Sequence, residues 1–174
     1  MRVHVIEPFE AGSGRIWRHD QSPLLKLNSM ARDVTMFTDE TVVAEGAAWD
    51  GPSLEEWAAG VADGSIEDAE IDDEDDLRRI RQLRGADFPT RRVHQRYLQW
   101  VWRRVVDRAL ASPGIDDVIV HPTWADEITE CSRGGHDVRL KDGTVLHADA
   151  AVLLLGHTDA LAPRGQRRGG AARG

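Results

Sequence analysis

The chain has 174 residues, of which 41% are hydrophobic and 30% charged, enough to bury roughly 70% of its unfolded surface around one core. Its 22 Lys and Arg stand against 30 Asp and Glu, and the net charge of −8 argues against bulk attraction to nucleic acid or to an anionic membrane surface. One cysteine, Cys131, excludes an internal disulfide and a cysteine-based zinc site and fits a reducing compartment, with cytoplasm the expected location.

The longest apolar run, Ala148 to Gly156, is interrupted by Asp149 and is far shorter than the roughly 20 residues of a membrane helix. Nor does a signal-peptide core follow Met1. The stretch Arg2-Val3-His4-Val5-Ile6 is short, β-branched and ended by Glu7-Pro8, which predicts a strand starting almost at the first residue. From Phe9 to Asn28 glycines, Pro23 and scattered charges show no period, so this segment reads as a long ordered loop with room for one helical turn. Ser53 and Glu56 form a capping box that opens a short helix, expected to stop near Gly60.

Nine acidic residues lie between Asp63 and Asp76, and their repulsion predicts a solvated, mobile loop over 62–76. Arg78, Arg79, Arg81, Arg84, Arg91 and Arg92 come next, so the acidic run is expected to fold back on them rather than bind an external cation. Thr90 opens the best helix of the chain, with Val93, Tyr97, Val101, Val105 and Ala109 at four-residue spacing and Leu98 and Trp102 beside them. Gln95, Arg96, Gln99 and Arg103 are expected on its other face. After Pro113-Gly114, Asp117 to His121 reads as a buried strand. Glu127 to Thr129, His136 to Leu140 and Val145-Leu146 follow, the last two joined by an Asp142-Gly143 hairpin turn. Ala151 to Gly156 has the pattern of a parallel strand covered on both faces. The order is that of an α/β domain with a small β-meander inserted in its crossover.

Glu7 ends the first strand, where two carboxylate oxygens can accept from two adjacent ribose hydroxyls; many strands also end in a Glu for solubility alone. Gly12-Ser13-Gly14 lacks the third glycine of G-x-G-x-x-G, since Trp17 stands there, and a flexible turn is the preferred reading. The seven histidines show no metal-motif spacing, so no metal is expected. No nucleophile elbow surrounds Ser13, which argues against a hydrolase. The helix from Thr90 mixes Arg91, Arg92, Arg96, Arg103, Arg104 and Arg108 with Tyr97, Trp100 and Trp102, but its aromatics fall on the packing stripe, so a core helix outweighs a phosphodiester-binding surface.

Taken in order, Val5-Ile6-Glu7-Pro8, Gly12 to Arg18, Leu24 to Asn28, Asp33 to Phe37, Phe88 to Arg91, Tyr97-Leu98 and Ala148 to His157 resemble the FAD/NAD(P)-binding protein family, two-dinucleotide-binding flavoproteins related to flavin-dependent monooxygenases. The resemblance runs from Val3 to about Asp159. It implies an α/β fold, a partial Rossmann-like FAD-binding domain with an inserted antiparallel β-meander over 1–160; the Arg, Gly and Ala of 161–174, with no large apolar residue after Ala162, read as a disordered tail. It also implies that Glu7 holds the adenosine ribose of FAD and that Gly12, Gly14 and Arg15 shape the loop over the cofactor. Asn28, Asp33 and Thr35 would approach the flavin side, and Gly156 and His157 would return the last strand toward FAD.

The family's opening strand and G-x-G-x-x-G turn have no counterpart in this sequence, which implies weak or lost FAD binding and a truncated remnant. Where the family has Tyr-Gly, Val93-His94 stands. The expected function is the FAD/NAD(P)-binding domain of a flavin-dependent oxidoreductase in which NAD(P)H supplies the hydride. An alternative of another class is a non-catalytic pseudoenzyme or interaction domain on the same scaffold. The expected partner is a small-molecule cofactor, with no membrane and no nucleic acid. The edge of the N-terminal strand leaves room for self-association or a complementing chain.

Overall fold

A computed structural model describes residues 1–38, 41–43, 49–132 and 134–156. The first strand, β1 (Arg2–Ile6), pairs in parallel with β2 (Asp117–His121), Arg2 opposite Asp117 and Ile6 opposite His121. Parallel pairing requires a long crossover, and three helices supply it: α1 (Leu54–Asp63), α2 (Glu74–Gln82) and α3 (Arg91–Ala111). After β2 come β3 (Ala125–Glu130), β4 (His136–Leu140) and β5 (Val145–Ala148), a separate antiparallel sheet in the order β3-β4-β5. The mixed α/β class and the meander therefore agree with the sequence reading.

The capping box at Ser53 forms in both directions: Glu56 N–H donates to the Ser53 hydroxyl and the Ser53 N–H donates to the Glu56 carboxylate at 2.8 Å. The helix it opens runs past Gly60 to Asp63, where Gly64 closes it in the left-handed conformation. The expected loop over 62–76 is shorter than its acidity suggests. Asp73 caps α2 by accepting from the N–H groups of Asp75 and Asp76, and Asp76 is wholly buried. Its charge is offset from α3, since Arg96 Nε lies 3.0 Å and Arg92 Nε 3.3 Å from its oxygens, and the His19 ring of the long loop packs beside it, Nε2 at 2.9 Å. The acidic run does fold back on arginines, Arg103 onto Glu70 and Arg104 onto Asp68 as well.

On α3 the capping residue is Thr90, as expected, its hydroxyl accepting from Val93 N–H. Val93, Tyr97 and Val101 of the stripe are buried with Leu98 and Trp100, whereas Val105 is exposed, because the helix outruns the elements packed on it. Gln95, expected on the solvent face, is buried. The cause is tertiary: the loop after β1 covers that side, and Gln95 Nε2 donates to Glu10 Oε2 at 2.9 Å. The core formed by Phe37, Leu54, Trp57, Ile80, Val93, Tyr97, Trp100 and Val101 thus belongs to the helical half.

The largest departure concerns Ala151 to Gly156. This run is not a strand, and Val152, Leu153, Leu154 and Leu155 are 80%, 63%, 88% and 68% exposed. A continuous apolar run becomes a covered parallel strand only with strands at its edges and layers on its faces; among the described residues nothing pairs with it. His157 and the tail at 161–174 lie outside the described residues. No helix among the described residues is long and apolar enough to cross a membrane.

Candidate functional site

The carboxyl end of β1 delivers Glu7 to a corner between the parallel strands and α3. Its own N–H completes the ladder by donating to His121 O at 3.1 Å, and its Oε1 accepts from Phe9 N–H at 3.0 Å. One carboxylate oxygen is therefore used to turn the chain out of the strand. The other, Oε2, faces Gly14, where an added Cβ would stand 3.3 Å from it and where φ is +59°. A side chain at position 14 would crowd this oxygen, so the turn keeps it open.

Ser13 and Gly14 both bond back to Glu10 O, the Gly14 N–H at 2.8 Å and the Ser13 hydroxyl at 3.3 Å. Gly12, with φ +92°, lies directly on α3: a Cβ there would come 2.5 Å from the Trp102 Cβ. The loop is then fastened along the helix. Trp17 meets His94 edge-on with centroids 4.7 Å apart, and the Arg91 guanidinium lies 5.5 Å over the Trp17 ring. Arg15 is half-buried beside Gly14, and Arg18 lies over Phe9 while pairing with Asp20. Burial lowers the His94 pKa to about 4, so this ring is a neutral packing group at ordinary pH. Its Nδ1 and the Gln95 Oε1 are buried without a hydrogen-bond partner among the described residues.

Asp33 and Thr35 line a second recess of about 300 Å³ with Arg32, Phe37, Asp50 and Glu56. Its floor is held by Tyr97, whose hydroxyl donates to Pro52 O at 2.7 Å and accepts from Met36 N–H at 3.2 Å. Burial pushes the Tyr97 pKa up, which keeps that donor in place. Of the residues singled out by sequence, the structure brings Glu7, Gly12 and Gly14 together at one corner and Asp33 and Thr35 at another recess. Asn28 is exposed and lines neither. Gly156 is exposed, with open space where a Cβ would stand. Gln95, His94 and the Tyr97 hydroxyl were not foreseen as site supports, because their partners sit in loops without periodicity.

Residues 1–158 match the FAD-NAD(P)-binding family. The chain belongs to that family. It is 38% identical over 167 residues to an L-aspartate N-monooxygenase (nitrosuccinate-forming) of Streptomyces cremeus, covering 92% of this chain and 25% of that protein. A protein of the same description from Streptomyces davaonensis is 36% identical over 166 residues, again 25% of its length. A nitrosuccinic acid synthase of Aspergillus oryzae is 34% identical over 154 residues, 88% of this chain and 20% of that protein. The chain thus spans a quarter or less of the length of these curated relatives, and the family resemblance read from the ordered blocks between Val5 and His157 holds.

Proposed function

We propose that this chain forms the adenosine-side part of the FAD site of a flavin-dependent N-monooxygenase that acts on the amino group of a small acidic amino acid. The observation that carries the reading is the Glu7 corner, with one carboxylate oxygen spent on Phe9 N–H and the other kept open by Gly14. A carboxylate so placed at the carboxyl end of a strand of a dinucleotide-binding unit suits adjacent ribose hydroxyls. The names of the relatives favour aspartate as the amino acid and N-oxygenation as the reaction.

When bound, FAD would supply the redox chemistry, taking a hydride from NAD(P)H and activating dioxygen. The chain's own part is positioning. Glu7 would accept the ribose hydroxyls, Gly12 and Gly14 would let the backbone pass close to the nucleotide, and the Trp17, Gln95 and His94 contacts would hold that loop on α3.

Titrating the protein with FAD and following flavin fluorescence tests the assignment. Glu7→Gln is expected to weaken binding roughly ten-fold, the loss of one hydrogen bond to a charged group, with the urea midpoint unchanged. Equal loss of stability with unchanged FAD affinity would show that Glu7 only ends a strand.

A further inference from the structure

The β-meander carries a second chemical cluster, away from the helical core. Cys131 directly follows β3, Asp137 belongs to β4, and His147 belongs to β5, opposite Asp137 in the antiparallel register. His147 Nδ1 lies 3.0 Å from Asp137 Oδ1 and 3.7 Å from Cys131 Sγ. All three potential ligand atoms lie within 4.8 Å of one another.

A nucleophile relay does not describe this arrangement. In a relay the nucleophile and the orienting carboxylate use opposite nitrogens of the imidazole, whereas here sulfur and carboxylate converge on the same Nδ1. Asp137 bonds the Cys131 side chain as well as His147, so all three groups converge pairwise on one point. Nδ1 has one in-plane direction for a hydrogen or a lone pair, so it cannot serve both neighbours at once. A cation at their common centre can.

The spacing also suits a tetrahedral ion. With zinc bond lengths of about 2.3 Å to sulfur and about 2.0–2.2 Å to nitrogen and oxygen, a tetrahedron places S and N about 3.5 Å apart and N and O about 3.4 Å apart. The observed 3.7 Å and 3.0 Å are within a few tenths of an ångström of those edges. The cluster of His19, Asp73 and Asp76 offers ligand atoms at similar spacing, but there the cations are already built in. Arg92 Nη2 is 2.7 Å from His19 Nε2 and 3.0 Å from Asp73 Oδ2, and Arg96 Nε is 3.0 Å from Asp76 Oδ2.

We propose that Cys131 Sγ, the Asp137 carboxylate and His147 Nδ1 form a site for a zinc-class divalent cation, with water in the fourth position on the exposed side. On binding, the Cys131 S–H bond breaks, its proton passes to solvent, and the thiolate forms the metal–sulfur bond. Each of the three strands, or the residue that ends it, gives one ligand, so the ion ties the meander together. Sequence spacing concealed the site because its ligands come from separate strands, and the proposal departs from the sequence expectation of no cysteine-based zinc site because a mixed Cys/Asp/His set needs only one cysteine.

Cobalt(II) is the probe, because the chain has a single cysteine and a thiolate-to-cobalt absorption band can arise only at Cys131. Metal-free 174-residue protein is expected to develop that band with one equivalent of cobalt, to lose it on zinc addition, and to have its thiol shielded from alkylation. Asp137→Asn and His147→Gln are expected to weaken cobalt binding by more than about ten-fold, the loss that even an outer partner's removal causes, with unchanged circular dichroism. Absence of the band at equimolar cobalt would overturn the proposal. So would a band whose affinity is the same in Asp137→Asn and His147→Gln as in the parent protein.

Discussion

Two apolar stretches of this chain meet opposite fates. Val93, Tyr97, Leu98, Trp100 and Val101 on α3 are buried, whereas Val152 to Leu155 stand in solvent. Their hydrophobicity does not distinguish them; their neighbours do. α3 is surrounded by α1, by α2 and by the loop that carries Gly12, Trp17 and His19, and its polar side chains bind that surround together. The Trp100 Nε1 donates to Asp68 at 2.9 Å, Arg103 donates to Ala69 O at 3.0 Å, and Arg96 meets Asp76. The run at 152–155 has no strand beside it among the described residues, so apolar pattern alone buries nothing. Burial is a property of the pair, and among the described residues the second stretch has no partner.

The strongest way to break the comparison is to charge the buried stripe. Val101→Asp places a carboxylate against Trp57, Tyr97 and Trp100 in the core. It is expected to cost more than about 4 kcal/mol and to abolish the cooperative urea transition. A soluble variant with the parent's tryptophan fluorescence would mean that the other face of α3 is the packed one.

Removing the carboxylate of Asp76 comes next. It is fully buried beside Arg92, Arg96 and His19, and Asp76→Ala leaves the two half-buried guanidiniums with only Asp73 and Asp72 as carboxylate partners among the described residues, at a cost of about 3 kcal/mol. Because His19 lies in the loop after β1, the loop should also loosen, which faster hydrogen exchange of the amides from Gly14 to Gln21 would register. Full stability of Asp76→Ala would show that the arginines hold α2 without it.

A third test uses pH. Burial lowers the His94 pKa from 6.5 to about 4, so between those values the unfolded chain binds a proton that the folded chain refuses. The stabilisation is complete above pH 6.5 and is lost as pH falls toward 4, by up to about 3 kcal/mol. Urea midpoints at pH 7.5 and pH 5 are expected to differ less in His94→Asn than in the parent. Equal differences in both proteins would place the acid sensitivity elsewhere.

Much of the fold is legible locally. The capping box at Ser53 and Glu56, the Thr90 cap, the strands at Arg2–Ile6 and Asp117–His121 and the Asp142-Gly143 hairpin depend on side chains within a few residues or on unbroken β-branched runs, although the second strand, expected to be buried, has no buried residue because too little packs over it among the described residues. Glu7 is legible as a candidate because it ends such a run. What escapes is long-range pairing. Gln95 looks like a solvent residue until Glu10 is brought over it, and Asp76 looks like one more charge in an acidic run until two arginines twenty or fewer residues away enclose it. The meander's Cys131, Asp137 and His147 likewise converge only after three strands have paired.

The smallest expected effect sharpens the comparison most. Leu154 is 88% exposed, so Leu154→Asp adds a charge where water already is and is expected to change stability by no more than about 0.5 kcal/mol. The same chemical change at Val101 should be at least eight-fold larger on these figures. Contiguous exposed leucines also invite association, and a single added charge should reduce it, which sedimentation velocity of the parent and variant would read. If instead Leu154→Asp lowered the urea midpoint as far as Val101→Asp does, the run would have to be covered in solution. An accompanying shift from dimer to monomer would identify a second copy as the cover, whereas a monomer destabilised to the same degree would mean that the segment folds against its own chain.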